Sequence, residues 1–187
     1  MKLGTHNSMS YLEPKKWYMK PFRFIAKCQN KSIEEQFEMG ARMFDIRISY
    51  NEFGVPEFRH GSMAFKGDVE EVFKYLNSRK TKVYVRLLLE TPGKHPTLNE
   101  ISFVKDCKIW EEEYKKIVFF CGRRKSDWEV IYNFKYKEPN INQYVSSMMG
   151  NKLDDIWPWL YAKLHNKKNF KECNKTKWAL FDFIEIR

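Results

Sequence analysis

Two histidines and an acid-arginine pair are the residues of this sequence whose types and spacing could do chemistry. His6 lies within Gly4-Thr-His-Asn-Ser8, His60 within Arg59-His-Gly-Ser62, and Asp45 and Arg47 stand two apart in the run Ala41 to Tyr50. Residues two apart in a strand share a face, so Asp45 and Arg47 project together onto a side that would otherwise be apolar. The set suits a phosphodiester: one imidazole takes a proton, the other gives one, and histidine's free pKa of about 6.5 serves both roles near neutral pH. A guanidinium stays charged and meets two phosphate oxygens with its planar fork, so it stabilises developing charge without a metal ion. The other use of Asp45 and Arg47 is a buried structural ion pair. His95 and His165 lack comparable neighbours and read as surface or core residues.

Such groups need a scaffold that gathers strand ends. The chain alternates strands with helical stretches, which predicts an α/β fold on a mainly parallel sheet or barrel. Strands are expected at Lys2 to Thr5, Ala41 to Tyr50, Pro56 to His60, Val83 to Glu90, Ile117 to Cys121 and Trp178 to Ile186, with a further one at Trp128 to Asn133. Helices are expected at Ser32 to Gly40, Asp68 to Arg79, Ile101 to Lys116, Asn140 to Met149 and Leu153 to Leu164, and an irregular loop from Ser8 to about Asn30. Ser32 with Glu35 three residues on has the form of a capping box. In a barrel the last strand neighbours the first, which would carry an acid to His6 and fix its tautomer; Asp182 is the expected acid, with Glu185 the alternative.

At 187 residues the chain has the size of one domain, 1–187, and falls short of the roughly 250 residues of a full eight-unit barrel, so a compact or distorted TIM-type (β/α) barrel is expected. A 43% hydrophobic content supplies a core, although the mean hydropathy is −0.65. The formal charge of +10 favours a polyanionic partner, a phospholipid surface or a nucleic acid. Tyr11, Trp17, Tyr18, Met19, Phe22 and Phe24, interspersed with Lys15, Lys16, Lys20 and Arg23, could insert at a lipid interface while the cations meet anionic headgroups. Single-stranded nucleic acid binders also interleave bases with aromatics, but on folds this order of elements does not support, so no nucleic acid partner is expected. The scattered Cys28, Cys107, Cys121 and Cys173 read as free thiols. Without a signal-like N-terminus or a spanning apolar run, the reading is a soluble, unexported, monomeric protein, cytoplasmic by default.

Three segments in order resemble the X-domain of phosphatidylinositol-specific phospholipase C: Leu3-Gly-Thr-His-Asn-Ser-Met9, Gln36-Phe-Glu-Met-Gly-Ala-Arg-Met-Phe-Asp-Ile-Arg47 and Phe58-Arg-His-Gly61. The resemblance covers about the first half of the chain and implies a TIM-type barrel and a phosphodiesterase in which the inositol 2-hydroxyl attacks phosphorus. It implies His6 as general base, His60 as general acid, Arg47 as the phosphate-binding cation, Asp45 lining the site, and Arg86 and Glu90 meeting the headgroup. Calcium-dependent relatives carry a carboxylate where this chain has Arg47, so neither calcium nor another metal or cofactor is expected. Metal-independent bacterial members carry Asp where this chain has Asn7, which implies a lower pKa for His60 and slower protonation of the leaving group. The substrate implied is phosphatidylinositol or a related phosphodiester. Two alternatives are a metal-dependent glycerophosphodiester phosphodiesterase, which Arg47 argues against, and a catalytically silent module that binds anionic lipid.

Overall fold

The computed structural model describes residues 2–90, 97–146 and 156–187; His95, the end of the predicted helix 140–149 and the start of the predicted helix 153–164 lie outside them. An eight-stranded sheet organises the chain. Strands β1 (Lys2–Thr5), β2 (Met43–Tyr50), β5 (Val83–Leu89), β6 (Ile117–Arg124), β7 (Ile141–Tyr144) and β8 (Trp178–Phe181) run parallel in the order β7-β8-β1-β2-β5-β6. Two short strands, β3 (Pro56–His60) and β4 (Met63–Ala64), fold back antiparallel on the far end of β2. The first strand sits between the second and the last, the closure that the sequence predicts. The sheet curls into a partial barrel, with β6 and β7 as its free edges among the described residues.

The two faces of the sheet bury different chemistry. Outward, Phe44, Ile46 and Ile48 of β2 and Val83, Val85, Leu87 and Leu89 of β5 pack in one large cluster with Phe73, Phe103 and Trp110 of the covering helices α3 (Val69–Asn77) and α4 (Thr97–Glu113). Inward, Met43, Phe120, Trp178 and Leu180 form a separate small cluster. One register step further along the strands the inner face turns polar with Asp45, Arg47 and Arg86, all buried. Gly4 makes that inner floor fit: a Cβ there would lie 2.5 Å from Leu180 Cδ2 and 3.0 Å from both Cβ and O of Met43.

Helix α2 (Ile33–Glu38) starts with the predicted capping box, Ser32 Oγ accepting from Glu35 N at 3.3 Å and a Glu35 carboxylate oxygen accepting from Ser32 N at 2.9 Å. Several expectations are corrected. The predicted loop 8–30 contains a 3-10 turn at Trp17–Phe22 and the one-turn helix α1 (Arg23–Ala26), pinned by Arg23 hydrogen bonds to Glu13 and to the Tyr11 carbonyl. The predicted helix 140–149 is instead strand β7 over its described part. Ile141 and Tyr144 are spaced as on a helix face, but pairing with β8 wins, with Tyr144 stacked on Phe181 at 5.1 Å. Segment 128–133 makes one bridge, Arg123 with Val130, instead of a strand. The final helix, α5 (Pro158–Glu172), extends beyond the predicted end, and α4 starts before Ile101. Strand β8 stops at Phe181, where Phe183 takes a positive φ of 45° and turns the chain off the sheet.

Candidate active site

The groups named from sequence converge at the C-terminal ends of the parallel strands, where (β/α) barrels assemble their reactive residues. His6 follows β1, Asp182 follows β8, Asp45 and Arg47 lie on β2, His60 ends β3 and Glu90 follows β5. A cavity of about 540 Å³ opens among them, and His6, Arg47, His60 and Glu90 are in its wall.

His6 is held from both sides. Its Nδ1 is 2.7 Å from Asp182 Oδ1 and its Nε2 is 2.6 Å from Arg47 Nη2. A guanidinium has no acceptor, so Nε2 must accept this bond and the ring proton sits on Nδ1, donated to Asp182. His6 is therefore the neutral tautomer whose electron pair, on Nε2, is held against Arg47 in the cavity wall. The second Asp182 oxygen accepts from Ser146 N at 3.1 Å, which fixes the carboxylate. Glu185 receives Asn30 Nδ2 at 2.8 Å, away from His6.

Arg47 rests on Asp45, both Nε and Nη2 lying 3.2 Å from Oδ2, and its Nη1 is 3.6 Å from Glu90 Oε2. Asn7 N adds a bond to Asp45 Oδ2 at 3.1 Å. Burial alone would raise the Asp45 carboxyl, but the Arg47 and Arg86 guanidiniums outweigh it and hold the group well below the usual carboxylate range. Asp45 is thus a buried anion that keeps Arg47 charged and aimed. Arg86 lies deeper: Nη1 is 3.7 Å from Asp45 Oδ1, ion-pair rather than hydrogen-bond range, and its guanidinium faces the Trp128 ring at 5.0 Å. Arg86 is not among the described residues that wall the cavity, whereas Glu90 is, its Oε1 accepting from Gly61 N at 2.7 Å and its Oε2 buried with no hydrogen-bond partner among the described residues.

His60 stands across from His6, ring centres 6.5 Å apart and planes at 83°. Its Nδ1 is 2.8 Å from the Ala26 carbonyl, so Nδ1 donates and Nε2 is the remaining working atom. Burial, reinforced by the charge of Arg47, pushes the His60 imidazole down to about 4. The side chain of Asn7 reaches the Cys28 sulfur at 4.0 Å.

Sequence reasoning missed three contributors. Cys28, fully buried and in the cavity wall, has no sequence signal at all. Lys125 and Trp128 also wall the cavity, the ammonium 4.8 Å from the ring centre. Lys125 belongs to a basic cluster that reads as solvated surface, but its neighbour Arg124 is largely covered and bound by Glu100, Asp127 and Glu129; the tryptophan three residues beyond Lys125 was the usable hint. Among the described residues, the one group of three or more metal-capable side chains is His6, Cys28 and Asp182. At the cavity mouth Met19, Phe22 and Ile25 form one side, and beside them Trp17 is 80% and Phe22 56% exposed. Lys15 is engaged by Glu57 at 2.8 Å. No helix among the described residues is long and apolar enough to cross a membrane.

A buried His-Asp pair, an arginine and a second histidine thus stand together at the C-terminal face of a parallel, partly closed barrel. Solved structures agree at the level of the fold. The chain is similar to the phosphatidylinositol-specific phospholipase C from Listeria monocytogenes, with a TM-score of 0.63, 15% identity, and coverage of 99% of this chain and 92% of that one. It is also similar to the N254Y/H258Y double mutant of the Staphylococcus aureus phosphatidylinositol-specific phospholipase C, with a TM-score of 0.59, 14% identity, and coverage of 97% and 84%. A third structure, described as addressing modulation of membrane binding by the S. aureus enzyme, gives 0.57, 13%, 97% and 85%. The chain therefore has the bacterial phosphatidylinositol-specific phospholipase C fold. No protein-family model and no curated protein matches the sequence.

Proposed function

We propose that the protein is a metal-independent phosphodiesterase that cleaves phosphatidylinositol or a closely related lipid by intramolecular attack. The observation that carries this is the hydrogen-bond chain Asp182 to His6 to Arg47, because it leaves the His6 Nε2 electron pair beside the one guanidinium that faces the cavity. His6 Nε2 takes the proton of the attacking 2-hydroxyl as the new P–O bond forms. Arg47 turns from His6 to the non-bridging phosphate oxygens. His60 Nε2 hands its proton to the departing alkoxide as the old P–O bond breaks. The products are diacylglycerol and a cyclic inositol phosphate, and the imidazoles return to their starting states when His6 releases its proton and His60 regains one.

Arg47 supplies the positive charge that a metal would otherwise provide, so the scheme needs no metal. Burial is the larger cause of the His60 depression and Arg47 the second; the diester's negative charge offsets Arg47 and so favours the protonated imidazole when substrate arrives. Glu90 Oε2, in ion-pair range of Arg47 but without a hydrogen bond among the described residues, suits a headgroup hydroxyl. Exposed Phe22 in the cavity wall and Trp17 in the same 3-10 turn, with Lys16, Lys20 and the overall charge, support contact with an anionic membrane surface.

Turnover of a chromogenic inositol phosphodiester in excess chelator tests the chemistry apart from the membrane. We expect His6→Ala and His60→Ala each to lose about 10²- to 10⁴-fold in kcat with their melting temperatures kept. Wild-type turnover abolished by chelator would sink the metal-independent scheme.

A further inference from the structure

We propose that His6, Cys28 and Asp182 form a site for a soft divalent cation of the zinc type, and that filling it switches the His6 base off. The second half rests on the role assigned to His6 above; the first half does not.

The three residues come from separate parts of the chain. One ligand atom from each, a His6 ring nitrogen, the Cys28 sulfur and an Asp182 oxygen, all lie within 4.8 Å of one another. Cys28 and His6 both wall the cavity, so an ion has a route to them. The Cys28 backbone is fixed, its N–H donating to Ser10 Oγ at 2.9 Å and its carbonyl accepting from Phe183 N at 2.6 Å. Its sulfur is held only loosely, 3.8 Å from the Ala26 carbonyl and 4.0 Å from Asn7 Nδ2. A fixed backbone carrying a loosely engaged thiol beside an imidazole and a carboxylate is a cation site in waiting rather than a packed cysteine.

The geometry and the charge both suit zinc. Bonds of about 2.0–2.3 Å in a tetrahedral shell set ligand atoms roughly 3.3–3.7 Å apart, so the sulfur moves inward by about 1 Å and the His6–Asp182 pair opens slightly. One thiolate and one carboxylate cancel a double positive charge, so the filled site is neutral where it is buried. Burial, and then Asp182, push the free Cys28 thiol well above its usual value, so the ion must displace the thiol proton as it binds. Thiolate selects zinc, cadmium or cobalt(II) over calcium and magnesium.

Binding rewrites the base. The proton on His6 Nδ1 gives way to the metal and Nε2 takes up a proton instead, so the net change is one proton released, that of the thiol. Nε2 is then a donor facing the Arg47 donor, with no electron pair left for a substrate hydroxyl.

Cobalt(II) added to the metal-stripped full chain, kept reduced without thiols, reads the site without any need for turnover. We expect a thiolate-to-cobalt charge-transfer band with tetrahedral visible bands, saturating at one equivalent and displaced by zinc but not by calcium or magnesium. Cys28→Ser and Cys28→Ala should lose the band while melting cooperatively, and Cys121→Ser should keep it. A wild-type protein without the band, or a band that survives Cys28→Ala, overturns the site. In turnover assays zinc should then inhibit and chelator should restore. Activity that persists at saturating zinc overturns the switch, whereas an absence of all activity would count against the phosphodiesterase reading and leave the cobalt result standing.

Discussion

The two imidazoles of the cavity differ in what holds them, and that difference sets their chemistry. His6 is anchored at Nδ1 by a buried carboxylate and so keeps its electron pair on Nε2, against Arg47; replacing Asp182 with asparagine leaves the shape but permits the other tautomer. We expect Asp182→Asn to lower kcat by on the order of 10³-fold with little change in KM, measured on a soluble diester. Arg47→Lys keeps the charge but loses the fork, and should cost about 10²- to 10³-fold in kcat. His60 is anchored instead by a backbone carbonyl and lies close to a guanidinium, and its imidazole sits at about 4 against an unfolded value of about 6.5. Because the folded value is the lower one, the unfolded chain takes up its proton first as pH falls. The stability that neutral His60 contributes is complete above about pH 6.5 and is lost on the way down to about pH 4. Urea midpoints of wild type and His60→Gln should therefore converge between pH 7 and pH 4.5, by on the order of 1–2 kcal/mol for a ring that still meets solvent on one side. Parallel pH profiles would show that His60 titrates normally.

At the scale of elements, the local signals that survived were those in which packing and local preference agree. The capping box of α2, the alternation of β2 and the glycine after His60 could all be read because each imposes its own geometry. The position of Asp182 followed from barrel closure alone. Strand β7 was misread since a four-residue edge strand carries too few residues to show a period, and only its pairing with β8 decides its form. The stretch after β6 depends on the same kind of remote contact. Gly122, at the bulge inside β6, has a φ of +61°, and a Cβ there would lie 2.0 Å from the Tyr132 carbonyl oxygen, so the bulge that leads the chain to Lys125 and Trp128 accepts only glycine. Gly122→Ala should destabilise the fold by about 3 kcal/mol or more, read from chemical denaturation. Cys28 was invisible in sequence for the opposite reason: nothing local distinguishes it, and its neighbours arrive from residues 6 and 182.

At the scale of the whole molecule, the net charge of +10 and the aromatic mouth act over different ranges. On the proposed membrane contact, the charge would draw the protein to an anionic surface over roughly 8–10 Å at physiological salt, and the exposed rings would act only on contact. Raising salt should therefore weaken binding to anionic vesicles, while Trp17→Ala should weaken it at every salt concentration and leave turnover of a soluble diester intact; cosedimentation measures both. The alignment with the Listeria structure covers 99% of this chain and 92% of that one. The most direct test of the account is phosphorus NMR of wild type and His6→Ala acting on phosphatidylinositol vesicles in chelator. The account predicts a cyclic inositol phosphate signal from wild type that is absent from the variant. No cyclic product from a folded wild-type protein, or the same product from His6→Ala, would contradict it.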